Sequence, residues 1–359
     1  MNTLQDNARL AQPLSADLSA NLHPVSQEPS FTTKNREWFT QRYEFTSRGV
    51  YFPHQPAYGF SRWEEHIQDY FRTYHILRLL EEIEFKSFLD VGCAEGYLVN
   101  IVQKLFKADT FAIDIAPSGI KRANELYGVS GAAADAVRLP FADKSFDVVL
   151  SSETLEHVAN PKAVIDELVR VARHYVILST PAARNDAELD EHFKHLDPAV
   201  IFSHFHFFTE RQMRAWLPEG TQFLGAGHRS MERVFHWFSS GHDQGAALQD
   251  LVKFLEKSCP GIDAGTIQAH GRNADAVVSQ APPWWKGLLG PRALACALLL
   301  DHALSRRSPE ETLAFLTLSP CHGTQIVRRR RPLPGLLRFL LRENQVDPLR
   351  LAAASRSVD

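Results

Sequence analysis

At 359 residues, with 44% hydrophobic and 23% charged side chains, the chain has the make-up of a soluble globular protein. It has room for one large domain with insertions, or for two domains. A net charge of −3 gives no global reason to expect a nucleic-acid binder. The four cysteines, Cys93, Cys259, Cys296 and Cys321, are scattered without a CxxC pair, which argues against a zinc ribbon or disulfide framework and for a reduced, cytoplasmic protein.

Residues 1–30 are polar, carry Pro13, Pro24 and Pro29, and are expected to be disordered. With Asp6 and Asp17 and no continuous apolar core, this stretch does not read as a secretory signal. The best membrane candidate, Leu294–Leu300, is far short of the ~20 residues of a span and runs into Asp301 and His302. Residues 31–82 read as an N-terminal extension. Its first part, to Phe60, is dense in rings: Trp38, Phe39, Tyr43, Phe45, Tyr51, Phe52, Tyr58 and Phe60. So many rings are expected to fold back over the domain, as a packed extension or as a lid over a substrate site. Ser61–Glu82 predicts a helix, with Ser61 as N-cap, Glu64 and Glu65 in its first turn, and Ile67, Tyr70, Phe71, Tyr74, Leu77 and Leu80 as its apolar face.

From 83 to 230 strand and helix patterns alternate, which implies a parallel sheet. Strands are predicted at 87–91, 110–115, 130–134, 146–151 and 174–179, and helices at 97–106, 118–127 and 162–172. Ser87–Val91 is a short apolar run closed by Asp90 and Val91. Gly92 and Gly96 then permit a tight turn and a close approach of backbone to a ligand, although Ala94 stands where a strict GxGxxG has its second glycine. Leu98, Ile101, Val102 and Leu105 have helical spacing, so the loop opens into a helix N-terminus with unpaired N–H groups and a positive dipole. Such a unit is a cofactor-binding start.

Asp114 ends the second strand about twenty residues past the loop, where an acid in a doubly wound sheet hydrogen-bonds ribose hydroxyls. Gly131–Ala136 closes the third strand with small side chains, leaving room for a flat base, and with Asp135 to accept from an exocyclic amine. Ser151-Ser152-Glu153-Thr154-Leu155-Glu156-His157-Val158 follows the fourth strand at its carboxyl edge, where ligands bind in open α/β sheets. A helix is predicted at Glu210–Leu217, after the histidine-rich Ser203-His204-Phe205-His206-Phe207-Phe208-Thr209.

Beyond it the pattern loosens. Gln222–Gly227 reads as a sixth strand and Gly323–Arg329 as a seventh. Helical runs near Leu248–Leu255, Leu294–Leu304 and Pro309–Leu318 make 231–320 a helical cap, with Pro282-Pro283-Trp284-Trp285 bearing substrate contacts. Residues 321–331 return as the last core strand and 332–359 form a tail. Arg328–Arg331, with Leu333–Leu341, Arg338 and Arg342, suggests a peripheral contact with anionic lipid; a solvated basic strand end is the plainer alternative.

Taken together, Asp90-Val-Gly92-Cys-Ala-Glu-Gly96, Ile113-Asp114, Ala134-Asp135-Ala136, Leu139-Pro140-Phe141 with Ser145-Phe146-Asp147, and Leu155-Glu156-His157-Val158 resemble the class I S-adenosylmethionine-dependent methyltransferases of the type 11/12 group. The resemblance implies an α/β, doubly wound, seven-stranded Rossmann-like sheet whose last strand is antiparallel, with the N-terminal extension and helical cap added to it. It implies that Asp90, Gly92 and Gly96 hold the methionine part of the cofactor, Asp114 the ribose, Asp135 and the Ala136 N–H the adenine, and Ser151 or Ser152 the ammonium. Ile326-Val327-Arg328-Arg329 resembles the usual final strand.

Methyl transfer from a sulfonium is an in-line displacement that needs positioning and a deprotonated nucleophile, so a hydroxyl acceptor needs a base or a metal. Glu153, Glu156 and His157 stand where that help is needed. With a later His-x-x-x-Phe element they resemble two metal-dependent subfamilies, the ubiquinone-pathway O-methyltransferases and those acting on the 3′-terminal 2′-hydroxyl of small RNAs. On that resemblance Glu153, Glu156, His157 and His204, with His206 as a near alternative, hold Mg²⁺, Mn²⁺ or Zn²⁺. A helix beginning at Glu153 would put Glu156 and His157 on the same face. Without a metal, His157 is the base, with Glu156 and His204 beside it, unless His157 is only a structural residue at a helix start.

The expectation is a cytoplasmic methyltransferase using S-adenosylmethionine, and a divalent metal if those four residues converge, on a hydroxyl of a small molecule, lipid or glycan. The alternatives are an RNA 3′-end 2′-O-methyltransferase, which the charge disfavours, and a non-catalytic S-adenosylmethionine-sensing module. A nicotinamide dehydrogenase would share the glycine loop and Asp114 but not need the Leu-Pro-Phe and Glu-His-Val elements. No motif names the acceptor or the oligomeric state.

Overall fold

The computed structural model describes residues 31–44, 46–47, 50–51, 53–56, 67–182, 206–219, 221, 224–226, 296, 298–299, 314–322 and 324. The described part is a mixed α/β structure around a parallel sheet. Five strands, β3 (Ser87–Val91), β4 (Asp109–Asp114), β5 (Gly131–Ala133), β6 (Phe146–Ser152) and β7 (Ala172–Pro181), lie in the order β5-β4-β3-β6-β7, every neighbouring pair parallel. The chain enters at the middle of the sheet. It winds outward through α3 (Tyr97–Phe106) and α4 (Pro117–Tyr127), then returns to the other side of β3 and continues through α5 (Pro161–Val171). The strand order therefore reverses between β3 and β6, and a crevice opens at their carboxyl ends.

Alternation of side chains along the strands sends Phe88, Val148, Leu150 and Ile177 to one face, against Leu77, Leu80, Leu98 and Ile101. Leu89, Val91, Val149, Val176 and Leu178 go to the other, against Val164, Ile165 and Leu168 of α5 and Met213 and Trp216 of α6 (Glu210–Trp216). Helices cover both faces, which is why these strands are near-continuous apolar runs. Local chemistry sets the helix ends: the Asn160 side chain accepts from the Ala163 N–H with Pro161 following, and Thr209 and Gln212 form a reciprocal capping box on α6.

Ahead of the sheet come α1 (Phe31–Glu44), a short antiparallel pair β1 (Thr46–Ser47) and β2 (Val50–Tyr51), and α2 (Ile67–Leu80). The α2 helix covers the later part of the predicted Ser61–Glu82 helix; 57–66 lie outside the described residues.

The last strand needs correction. Pro309–Leu318 is expected to be helical and Gly323–Arg329 to be the strand, yet β9 is Ala314–Pro320, inside the stretch assigned to the cap; of 323–329 only 324 is among the described residues. It pairs antiparallel with β7 and with β8 (Leu224–Ala226), giving the order β5-β4-β3-β6-β7-β9-β8. A short apolar run fits a strand or a buried helix alike until a partner decides, and here the ten-residue β7 offers a free edge long enough to pair with all of β9. The rest of the predicted cap, including Trp284 and Trp285, and the 1–30 and 332–359 segments lie outside the described residues, apart from 296, 298 and 299, which are helical. Among the described residues no helix is long and apolar enough to cross a membrane.

Candidate active site

The glycine loop is set by backbone demands. Gly92 takes φ +84° and Gly96 φ +77°, while Ala94 accepts φ +51° in the place of the missing glycine. The Gly92 and Cys93 N–H groups donate to the Ile113 carbonyl at 2.8 and 3.0 Å, and the Ala94 N–H donates to Asp114 Oδ2 at 2.9 Å. A Cβ on Gly92 would lie 2.0 Å from Thr154 Oγ1, so the bare backbone is required there. Gly96 serves a different need from the one expected. Its added Cβ would meet Ala123 of α4 at 2.8 Å, and it does not line the cavity. It lets two helices approach.

A cavity of about 500 Å³ fills the crevice. On its β4–β5 side stand Asp114, Ile115, Asp135 and Ala136. Asp114 is buried, with Oδ1 accepting from the Ala116 N–H at 2.9 Å and Oδ2 from Ala94. Burial pushes its carboxyl up to about 6, an effect the N–H bonds oppose. Asp135 Oδ1 accepts from the Val137 N–H at 3.1 Å. Of the two serines left open by the resemblance, Ser152 lines the cavity, whereas Ser151 is fully buried and does not.

Asp90 lies beneath the loop, buried, with Oδ1 unpaired among the described residues, and burial with the nearby Asp114 raises its carboxyl to about 8. A buried carboxyl left protonated at neutral pH, one residue before the cavity-lining Val91 and Gly92, suits a nearby cationic ligand: S-adenosylmethionine brings an ammonium and a sulfonium. With the glycine cradle and the acids at β4 and β5, the residues present fit that cofactor. A test follows. A unit positive charge roughly 6 Å away at an effective dielectric of ~20 is worth about 2.8 kcal/mol, or about two pKa units. Binding S-adenosylhomocysteine, which keeps the ammonium, should therefore draw a proton off Asp90. Calorimetry at pH 7 in buffers of different ionisation enthalpy should show up to about one proton released, and Asp90→Asn should remove most of it. Affinity should rise with pH up to about 8. Unchanged proton release in Asp90→Asn would refute the assignment.

The loop after β6 departs from the expected helix. Glu153 sits at φ +51°, and only Leu155–His157 form a single 3₁₀ turn, so Glu153, Glu156 and His157 do not share a helical face. Each acid has gone to a hydroxyl of β7: Glu153 Oε1 accepts from Ser179 Oγ at 2.7 Å and Glu156 Oε2 from Thr180 Oγ1 at 3.2 Å. Glu156 is fully buried. Its carboxyl is held well above the ordinary range, first by burial and then by the charge of Glu153. Its Oε1 has no hydrogen-bond partner among the described residues and lies 4.0 Å from His157 Nε2. Glu153 and His157 line the cavity; Glu156 stands behind them. Among the described residues no three His, Cys, Asp or Glu side chains, Glu153, Glu156 and His157 included, are placed to hold a metal. His204 lies outside the described residues. His206, the alternative ligand, is buried and its Nε2 donates to the Val158 carbonyl at 2.8 Å, a structural tie.

Beside the rings expected to fold back over the domain, the roof brings polar residues that the sequence pattern did not reveal. Asn35, Trp38, Phe39 and Tyr43 of α1, His54 and Gln55 after β2, and Asp69 and Arg72 of α2 all line the cavity. Glu95, between the two glycines, explains how. Fully buried, it accepts from Tyr51 Oη at 2.6 Å, the His54 N–H at 2.5 Å and the Gln55 N–H at 3.1 Å. Gln55 Oε1 in turn accepts from the Tyr97 N–H at 3.1 Å, serving the start of α3. Arg122, also buried, donates from Nε to the Tyr43 carbonyl at 3.0 Å and lies 4.2 Å over the Tyr51 ring. Arg72 pairs with Asp69 and lies 3.8 Å from Glu153, which brings a guanidinium to the cavity wall. An acid inside a glycine loop was the available clue to this docking.

Comparison with known proteins agrees with this geometry. Residues 89–178 match the family described as "Methyltransferase domain". The chain is 38% identical over 214 residues to the 2-methyl-6-phytyl-1,4-hydroquinone methyltransferase of Synechocystis sp., covering 57% of this chain and 55% of that one. It is 37% identical over 99 residues to the chloroplastic tocopherol O-methyltransferase of Arabidopsis thaliana (26% and 28%), and 33% identical over 94 residues to the norajmaline N-methyltransferase of Rauvolfia serpentina (24% and 32%). The chain thus spans little more than half of these curated relatives at most. The glycine cradle, the acids ending β4 and following β5, and the family match over the same strands agree: residues 89–178 form a methyltransferase domain of the class I, S-adenosylmethionine-dependent kind.

Proposed function

We propose that the protein methylates a hydroxyl group of a small molecule, lipid or glycan. One observation carries this most: a single cavity joins the acids suited to an adenosine, Asp114 and Asp135, to an imidazole, His157, at the other side of the strand crossover. When bound, S-adenosylmethionine supplies an electrophilic methyl group together with its own leaving group. Asp114 accepts the ribose hydroxyls, Asp135 and the Ala136 N–H meet the adenine, and Gly92 and Ser152 border the methionine end, where Arg72 offers a cation to its carboxylate. His157 takes the acceptor's proton, with the buried Glu156 carboxyl behind it, Oε1 lying 4.0 Å from His157 Nε2. The roof of α1 keeps water from the reacting groups.

The named relatives include methyltransferases whose names specify oxygen and nitrogen acceptors, so the preference for a hydroxyl rests on the presence of a base and not on them. We further read β9 and β8 as completing a seven-stranded sheet, the N-terminal segment as a lid, and 231–320 as carrying a cap up to β9. A cytoplasmic location is supported by the cysteine pattern alone.

Calorimetry should show binding of S-adenosylmethionine and S-adenosylhomocysteine; tighter binding of NAD than of either would overturn the cofactor assignment. Incubated with labelled S-adenosylmethionine and a metabolite extract, the protein should label a hydroxyl oxygen. That activity should survive exhaustive chelation and fall at least about a hundredfold in His157→Gln, the usual range for a general base. Label on nitrogen or carbon, or loss of activity in chelator restored by a divalent metal, would overturn this account of the chemistry.

A further inference from the structure

Asn35 is 5% exposed on the face of α1 that covers the cavity. Its Nδ2 donates to the main-chain carbonyl of His157 at 2.6 Å, across 122 residues of sequence. Because a carbonyl can only accept, this bond fixes the amide's orientation: the nitrogen faces His157 and the oxygen faces away. Oδ1 is buried and has no hydrogen-bond partner among the described residues. A buried acceptor without a donor is costly and uncommon in native proteins, and at a cavity wall it marks where a ligand donates.

The cavity's layout says which ligand. The adenosine acids belong to β4 and the end of β5, on one side of β3; His157 follows β6, on the other. Asn35, tied to His157, stands on the acceptor's side. Its neighbours there are rings: Trp38 meets Phe39 edge-on at 4.9 Å, and Phe39 meets the His157 imidazole edge-on at 5.7 Å. Rings on one wall favour a flat, apolar body, and a single unpaired acceptor on that wall residue would fix its rotation.

We propose that Asn35 is a specificity-determining contact for the methyl acceptor, and that the acceptor is an aromatic alcohol whose ring lies against Trp38 and Phe39 and whose hydroxyl donates to Asn35 Oδ1. This narrows the proposed methyltransferase function and rests on it. A hydroxyl so held lies beside His157, the group assigned to remove its proton. A site built to accept from a hydroxyl rejects the analogue that lacks one, because its own polar atom is then left unpaired.

The test uses the full chain saturated with S-adenosylhomocysteine and three probes in saturation-transfer and titration NMR: hydroquinone, 1,4-dimethoxybenzene and cyclohexane-1,4-diol. Hydroquinone should bind at least about tenfold more tightly than either of the others, in keeping with one lost hydrogen bond or lost ring contacts. In Asn35→Leu its affinity should fall to that of dimethoxybenzene, while S-adenosylhomocysteine affinity stays within about twofold. Asn35→Asp keeps an acceptor oxygen but loses the tie to His157, and should retain the preference for hydroquinone. Three results would overturn the proposal: no preference among the probes, or no binding of hydroquinone; a preference unchanged in Asn35→Leu or lost in Asn35→Asp; or cofactor affinity falling with the preference in Asn35→Leu, which would make Asn35 part of the donor site. Failure of the wild-type chain to bind S-adenosylhomocysteine, seen before any probe is added, would instead overturn the methyltransferase function beneath it.

Discussion

Gly92→Ala should remove measurable S-adenosylhomocysteine binding while the domain still folds. Two penalties coincide at this position. An alanine at φ +84° costs about 1–2 kcal/mol in backbone strain. Its Cβ would also lie 2.0 Å from Thr154 Oγ1 and 2.9 Å from Thr154 Cβ, and overpacking of this kind costs about 1–3 kcal/mol. Thr154 cannot easily turn away, since it is β-branched and its hydroxyl donates to the Ser152 carbonyl at 3.2 Å. The least costly relief is a shift of the glycine loop into the space the cofactor needs. Gly92→Ala combined with Thr154→Ala removes the nearest clashes but leaves the backbone strain, so it should recover part of the affinity. Calorimetry paired with thermal unfolding separates the two effects. Unchanged affinity in Gly92→Ala would show that the cradle does not face the cofactor.

The second large effect is expected at Asp114, and on folding as much as on binding. Asp114→Ala strips the partner from two buried N–H groups, Ala94 in the glycine loop and Ala116 at the start of α4. At about 1–3 kcal/mol for each, the loss is a large part of a typical domain stability of about 5–15 kcal/mol. Asp114→Asn keeps one acceptor oxygen and should fold, with donor affinity reduced by about 1–3 kcal/mol through the lost charge-assisted bonds to the ribose.

The pH dependence has two opposite signs. With its carboxyl at about 6 in the folded protein against 3.8 ordinarily, Asp114 lends stability below the ordinary value, and that contribution is lost as pH rises towards 6. Donor binding needs the ionised form and should weaken as pH falls through about 6. Asp114→Asn should flatten both slopes. Unfolding and calorimetry between pH 4 and about 8 would show it; identical slopes in both proteins would refute the role.

The elements near the centre of the sheet were legible because their causes are local. Ser87–Val91 is apolar whichever way it is paired, and strands buried on both faces leave a run that needs no knowledge of neighbours. Asp114 and Asp135 were found because a carboxyl-edge position follows from strand order alone. The helix expected to begin at residue 153 is absent. Glu153 instead turns at positive φ, and the hydroxyls of Ser179 and Thr180 claim the two acids. Those hydroxyls come from another strand, which spacing within one segment cannot register.

What the sequence by itself determined is the alternating sheet, the glycine turn and the two acids at its edge: each follows from apolar period, allowed φ or position along one strand. What only the tertiary structure decided is the other half of the cavity. Glu95, given no role by its place in the loop, is the buried anchor for Tyr51, His54 and Gln55. Asn35 meets His157 across 122 residues, and β9 became a strand through the edge of β7. These contacts depend on closing long stretches of chain, and the free energy that selects them comes from packed partners with no periodic trace near either residue.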